Sequence, residues 1–402
     1  MKVDRDRFIE DGYLIVPGAV PPDRLDKVRN AYEIMVERQK RVWAQQREPD
    51  EPPGGEWEMS AQPRLAIQSM VDQIDEQTAW TIQVWLCENI RGVSAELLNE
   101  PDAGVTEMML MCNPVRDRGP AHWHRDMYPP HSAPLRGYID DIVESGPRYV
   151  QWNIALHDDD VLCVMPGSHR RPNTRAEDEQ IKKDAHQPLP GGVQTHLKAG
   201  DGVVYILPIL HWASNYSTRR RRTVHGGYSR FTQQPDLCFL EHLTPEARDA
   251  FEHWDKQCQT MKGQTEAALR AAMNKDESAY RAALDRLHPG RRESGRRLST
   301  VYFSKSAQRI NDLKRSDFDS LPPRRRQDAV SPHPITLQWG APFAEHFSRD
   351  EAARLWEAFK PIDALLQSES PQHADSFQGG ASPYHFVDMP GPNRVDGFLS
   401  GA

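Results

Sequence analysis

The chain has 402 residues, 38% hydrophobic and 27% charged, with a formal net charge of −8. That balance excludes general nucleic-acid binding, where a basic surface dominates affinity. It also excludes a spanning helix, which needs about 20 apolar residues, because the longest apolar run, Val203–Leu210, is short and contains Pro208. At roughly 150 residues per domain the length fits two or three domains, or one elaborated β-barrel enzyme, and a mean hydropathy of −0.73 with 32 prolines predicts long polar loops.

The first residues, Met1–Phe8, carry no apolar stretch of the kind a secretory leader needs. Helix and strand then alternate. Phe8 and Ile9 precede Gly12, and Tyr13–Val16 reads as a short strand ending at Pro17. Pro21 and Pro22 open a helix with Leu25, Val28, Tyr32, Met35 and Val36 on one face. Residues 45–62, rich in Pro, Gly and Glu, read as a loop, and a second amphipathic helix is expected from about Glu76 to Leu98. From 105 the period changes. Val105–Cys112, Tyr149–Leu156, Val161–Met165, Gln194–Leu197, Gly202–Leu207 and Thr223–Phe231 read as strands between turn signals. Many short strands with turns between them suggest a sandwich, barrel or jelly roll. Beyond 240 the pattern is helical: a cap at Thr244 before Pro245, an alanine-rich stretch over 264–288, and a capping box at Ser348-x-x-Glu351 before Trp356 and Phe359. Residues 369–402 are Gly, Pro and Ser rich, an ordered arm or a loose tail.

The cysteines, Cys87, Cys112, Cys163, Cys238 and Cys258, are odd in number and form no CxxC pair. They suit reduced thiols in a cytoplasmic protein better than a disulfide framework or a structural zinc site. Of three basic runs, Arg291–Arg297 and Arg324–Arg326 read as solvated or carboxylate-paired surface. Arg219–Arg222 is different.

Chemistry begins at His124-Arg125-Asp126. In a strand, residues i and i+2 project to one face, so an imidazole and a carboxylate can reach one metal. The same triplet recurs at His157, His253 and His373, and context separates them. His253 sits in the expected helix 244–258, where i and i+2 diverge. His373 lies in the tail with only His385 beyond it, and His157 runs into the acidic turn Asp158–Asp160. His124 alone has a strand before it, a proline-rich segment after it, and a third candidate ligand downstream in His211, which follows an apolar strand and Pro208. Two histidines and one carboxylate leave three positions open on an octahedral metal, the facial set of non-haem Fe(II) oxygenases. Arg222 opens the next β run and can pair bidentately with a carboxylate, so the set could hold iron and a 2-oxo acid. Arg219, Arg220 and Arg221 are the alternatives if the register shifts.

Together these motifs resemble the phytanoyl-CoA dioxygenase family of Fe(II)/2-oxoglutarate oxygenases. The resemblance rests on Phe8-x-x-Asp11-Gly12-Tyr13, on Met109 in its strand, on Trp152 in Gln-Trp-Asn-Ile-Ala-Leu, on Pro166-Gly167-Ser168-His169 and on the interval from His211 to Arg222. It covers roughly residues 1–235. It implies an α+β fold, with a double-stranded β-helix (jelly-roll) core and flanking N-terminal helices in an oxygenase domain over 1–235. Residues 236–402 lie outside the resemblance and read from their own pattern as a helical extension, a lid or oligomerisation element. His124, Asp126 and His211 would bind Fe(II) as the catalytic centre. Arg222 would anchor the cosubstrate 2-oxoglutarate, and Met109 and Trp152 would line its pocket.

The expected reaction is hydroxylation of an unactivated C–H bond of a small-molecule substrate by O2, with release of succinate and CO2. Asp126, the carboxylate that related halogenases lack, favours hydroxylation, desaturation or ring closure. A homodimer is possible, and neither nucleic acid nor membrane is expected as a partner. The chain departs from the family at Ala213, where Ser is usual, and at Asp158–Asp160, where Asn-Gly is usual.

Two rival readings stand beside this one. His122-x-His124 partly resembles cupins, but the Glu those sites add does not come until Glu144. A non-catalytic binding protein on the same barrel is the other, and the intact ligand set argues against it. His122 is a structural histidine or a substrate contact, His169 serves its turn, and Trp123, Arg125 and Tyr128 flank the site. The substrate is not readable, because fold does not choose it.

Overall fold

The computed structural model describes residues 3–126, 134–230, 236–330, 340–369 and 388–399. The chain forms two compact units: Met1–Arg125, Pro147–His169 and Asn173–Gln257 make the first, and Asp126–Gly146, Arg170–Pro172 and Cys258–Ala402 the second.

The first unit contains the strands β1 (Tyr13–Val16), β2 (Arg64–Ala66), β3 (Gly104–Cys112), β4 (Gly119–Pro120), β5 (Tyr149–Ala155), β6 (Leu162–Val164), β7 (Val193–Gln194), β8 (Gly202–Ile206), β9 (His211–Asn215) and β10 (Arg222–Ser229). They form one sheet in the order β1-β8-β5-β10-β3-β2 and another in the order β4-β9-β6-β7. Every strand pair among the described residues is antiparallel.

Strand alternation sorts the large sheet into two faces. Met109, His225, Asn153 and Val203 lie in one cross-strand row, and Gln151 and Tyr205 lie opposite each other on the same face. Ala155, Val203 and Tyr205 from that face join Leu162 and Val164 of β6 in one apolar cluster with Leu197 and Ile209. This is therefore the face turned to the small sheet. The other face carries Trp152, Val224, Gly226 and Tyr228 and meets helices. Trp152 Nε1 donates to Ser94 Oγ at 2.9 Å, on the helix Glu88–Leu98, and the Tyr228 hydroxyl donates to the Trp85 carbonyl. Gly226 has no room for a side chain there, since a Cβ would stand 2.9 Å from the Trp85 ring.

Most expected elements are present with small shifts. The expected helix 76–98 is broken. Trp80–Gln83 and Val84–Leu86 are short turns, Cys87 is extended at ψ 134°, and only Glu88–Leu98 continues as a helix. The break lets the Trp85 carbonyl turn out of a helical ladder and accept from Tyr228. The strand expected at Gln194–Leu197 is reduced to Val193–Gln194 and one bridge between Asp159 and Leu197. Phe231, expected to end the last strand, lies outside the described residues, as does the tail 370–387. The strand β9 and the helix Arg175–Lys183 went unforeseen, although the helix has a legible start: Thr174 and Glu177 form both arms of a capping box.

Two segments carrying the family resemblance meet in this unit. Gly12 ends the helix Arg5–Asp11 with φ at 84°. Asp11 accepts from Gly167 N at 2.8 Å, and His169 Nε2 donates to the Ile9 carbonyl at 2.9 Å. An added Cβ at Gly12 would lie 2.2 Å from His169 Nδ1. Gly12→Ala is therefore expected to cost about 2–4 kcal/mol, from the left-handed backbone and from overpacking. Urea denaturation should show this as a lower midpoint with an unchanged slope.

The second unit is helical. Its central helix, Glu293–Lys314, packs against Arg349–Glu369 and Leu135–Ser145. Contact on several sides explains a composition with no single apolar stripe: buried Ser299, Ser304 and Ser306 alternate with Val301, Phe303 and Ile310. Among its buried polar groups, Lys305 pairs with Asp363 and Asp312 with Arg325. The Ser348–Glu351 capping box has both arms. The alanine-rich stretch divides at Lys275 (φ 56°) into helices Pro245–Met273 and Glu277–Leu287. No described helix is long and apolar enough to cross a membrane, and all five cysteines are free thiols.

Candidate metal centre

His124 and His211 are tied together by their backbones. Each amide donates to the other's carbonyl at 2.9 Å, an isolated antiparallel bridge that continues β9. Their rings lie 4.3 Å apart. Each ring Nδ1 faces a carbonyl two residues earlier: His124 that of His122 at 2.9 Å, His211 that of Ile209 at 3.0 Å. A carbonyl only accepts, so Nδ1 carries a proton in both rings, and in the neutral imidazole this leaves the lone pair on Nε2. That is the tautomer a metal requires, set by main-chain groups. Asp126 completes the group: ligand atoms of His124, Asp126 and His211 all lie within 4.8 Å of one another. His211 is buried at 4% exposure, and the other two are half-buried.

The residues on either side of His124 face elsewhere. Trp123 stacks on Trp212, with centroids 5.2 Å apart, and donates Nε1 to the Gln187 carbonyl at 2.8 Å. Arg125 is fully buried and ties the Ser168 and Pro208 carbonyls and Asn173 together. Both flank the site as expected, with side chains engaged in the scaffold behind it. Tyr128 lies outside the described residues. His122 stays on the ligand side, its ring 5.5 Å from His124 and 6.4 Å from His186. Burial, then the neighbouring His186, hold its pKa below the ordinary imidazole value.

Around the ligands lies the polar part of the large sheet's inner face. Tyr205 packs on His211 with centroids 5.3 Å apart and accepts from Gln151 Nε2 at 2.7 Å. His225 Nδ1 donates to Asn153 Oδ1 at 2.6 Å. Met109 shares their row. The sequence carries a trace of this face: Gln151-x-Asn153 and Thr223-x-His225 place polar groups at period two in otherwise apolar strands.

Trp152 is not on this face. Its indole is buried against Ser94 on the helix side, one residue out of phase with the interior. Trp152→Phe is expected to lose about 1–2 kcal/mol of stability with the hydrogen bond and to leave 2-oxoglutarate affinity unchanged. A raised KM for the cosubstrate would return Trp152 to the pocket.

The arginine run obeys the same alternation. Arg222 points to the helix side, where Nε donates to Glu33 Oε1 at 2.9 Å, and Arg220 pairs with Glu33 as well. Arg219 and Arg221 turn to the acidic turn: Arg219 pairs with Asp160 at 2.9 Å, and Arg221 Nε donates to Asp159 Oδ2 at 3.0 Å. Thr223 Oγ1 donates to the same carboxylate oxygen at 2.8 Å, so Arg221 lies on the inner face with Thr223 and His225. Burial raises the Asp159 pKa, but Arg221, with hydrogen bonds from Val161 and Thr223, outweighs it and holds the carboxyl below its ordinary value. Arg221 Nη1 is buried with no hydrogen-bond partner. The guanidinium of Arg222, the expected cosubstrate anchor, is engaged by Glu33, Asn113 Oδ1 and its neighbour's carbonyl on the helix side of the sheet.

A family model described as Phytanoyl-CoA dioxygenase (PhyH) matches residues 8–224, more than half of the chain. The chain belongs to this family. No curated protein matches it. Among solved structures it is similar to AviO1 from Streptomyces viridochromogenes Tue57, at 23% identity over 57% of this chain and 96% of that one, TM-score 0.40. It is also similar to EvdO2 from Micromonospora carbonacea var. aurantiaca, complexed with 2-oxoglutarate, at 19% identity over 57% and 92%, TM-score 0.37. HygX from Streptomyces hygroscopicus, with nickel and 2-oxoglutarate bound, matches at 16% over 59% and 88%, TM-score 0.39.

Proposed function

We propose that this protein is a non-haem Fe(II)/2-oxoglutarate-dependent dioxygenase that hydroxylates a small-molecule substrate. In this reading the two sheets form a double-stranded β-helix, the chemistry resides in residues 1–235, and residues 236–402 are an extension. The observation that carries it is the His124, Asp126, His211 group, with both imidazoles held by main-chain carbonyls in the metal-binding tautomer. This donor set fits Fe(II), leaving three adjacent positions for cosubstrate and O2. When bound, iron with 2-oxoglutarate and O2 supplies the oxidant for the C–H bond, with succinate and CO2 released.

The chain's own residues supply placement. Asp126 contributes the anionic ligand. Arg221, through its unpartnered Nη1, receives the distal carboxylate of the 2-oxo acid. Tyr205 packs on His211, and Gln151 fixes the phenol. The polar edges of Asn153 and His225 face the same interior.

The test is an anaerobic titration of the apoprotein with Fe(II), then 2-oxoglutarate, followed by visible absorbance. A weak charge-transfer band that needs both additions supports the reading. Bound iron with no band on adding the keto acid overturns it.

A further inference from the structure

The acidic turn that departs from the family pattern places Asp159 where it can do more than pair a surface charge. Asp159 is 8% exposed and held on every side. Its amide and carbonyl exchange hydrogen bonds with Leu197 at 3.0 and 2.8 Å, and Oδ1 accepts from Val161 N at 3.0 Å. Oδ2 accepts from Thr223 Oγ1 at 2.8 Å and Arg221 Nε at 3.0 Å. We propose that Asp159 is a positioning residue: it holds Arg221 by Nε so that the end-on edge carrying Nη1 is presented to the distal carboxylate of the 2-oxo diacid. The proposal rests on the reading of Arg221 as that anchor.

The neighbouring arginines supply the comparison. Arg219 and Arg220 pair with Asp160 and Glu33 from exposed positions, and Arg222 uses all three guanidinium nitrogens on Glu33 and Asn113. Arg221 is 7% exposed and bound only through Nε, with Nη1 left unpartnered. A buried guanidinium with no acid beside it is unstable, because desolvation of the lone charge is uncompensated. Asp159 supplies that compensation without covering Nη1. Its own attachment to Leu197, Val161 and Thr223 makes the placement rigid, and rigid prior placement is what raises affinity for an incoming anion.

The experiment measures 2-oxoglutarate binding calorimetrically on Ni(II)-loaded full-length protein, with Ni(II) affinity and thermal midpoint recorded for each variant. Asp159→Ala is expected to weaken 2-oxoglutarate at least tenfold with Ni(II) affinity unchanged. Asp159→Asn keeps one acceptor oxygen but loses the charge, and should weaken 2-oxoglutarate less than Asp159→Ala does. Should Asp159→Ala fail to fold, Thr223→Val removes one of the donors that hold Oδ2 and should weaken 2-oxoglutarate two- to threefold with Ni(II) unchanged. Unaltered 2-oxoglutarate binding in Asp159→Ala, or in Thr223→Val where it stands in, overturns the proposal. So does an equal loss of Ni(II) affinity, or an Asn variant as weak as Ala. Arg221→Gln separates the two levels. If it binds 2-oxoglutarate like wild type, the anchor reading fails and the positioning role falls with it. If it loses binding while Asp159→Ala does not, only the positioning role fails.

Discussion

Replacing Asp126 by Ala is expected to abolish succinate production and to weaken Fe(II) binding more than 100-fold. Substitutions that merely disturb the groups orienting a metal ligand typically cost 10–100-fold in affinity or activity, and here the ligand itself is lost. As metal ligands the two imidazoles that remain are neutral donors, each offering Nε2 while Nδ1 donates to the carbonyl of His122 or Ile209. Asp126 therefore carries the only negative charge of the group. Chelator competition measures the metal affinity, and coupled detection of succinate measures turnover. Because the imidazole locks do not involve Asp126, the His124–His211 bridge should persist, so the loss is one of metal binding rather than of architecture. Wild-type turnover in Asp126→Ala would sink the assignment.

Arg221→Gln and Arg222→Gln are expected to part company. Arg221 faces the interior with an unpartnered Nη1, and its loss should raise the KM for 2-oxoglutarate roughly 100-fold, equivalent to about 2.8 kcal/mol for charge-assisted hydrogen bonds to the carboxylate. The size of the effect follows from burial, since water competes little for a guanidinium only 7% exposed. Arg222 holds Glu33 of the helix Pro22–Gln46. Its replacement leaves that carboxylate with Arg220 alone and should lower stability by about 1–3 kcal/mol, less than for a fully buried pair because Glu33 is partly exposed, while the KM stays unchanged. Steady-state kinetics with 2-oxoglutarate varied, together with a denaturation curve for each variant, decides the matter. A KM effect at Arg222 and none at Arg221 would restore the anchor that simple spacing from His211 suggests.

The sequence by itself determined the candidate ligand set and most of the strands. His124, Asp126 and His211 could be picked from several His-x-Asp triplets because strand alternation and flanking turns are local properties, written in a few neighbouring residues. The same holds for the capping box at Ser348 and for β3, β5 and β8. Local pattern could not reach the helices Leu135–Ser145 and Glu293–Lys314. The second is enclosed on several sides and has no apolar stripe to betray it.

Nor could it assign faces. A shift of one residue moves a strand's whole set of side chains to the other side of the sheet, and the distance from His211 to the arginine run crosses a loop whose geometry the residue spacing leaves open. Only the pairing of Thr223 with Ala155, and of Asp159 with Arg221, decided that Arg221 and Asn153 look inward while Arg222 and Trp152 look toward the helices. The residue types were legible, but the side of the sheet each one serves is a long-range property, set by which strand and which acid it meets.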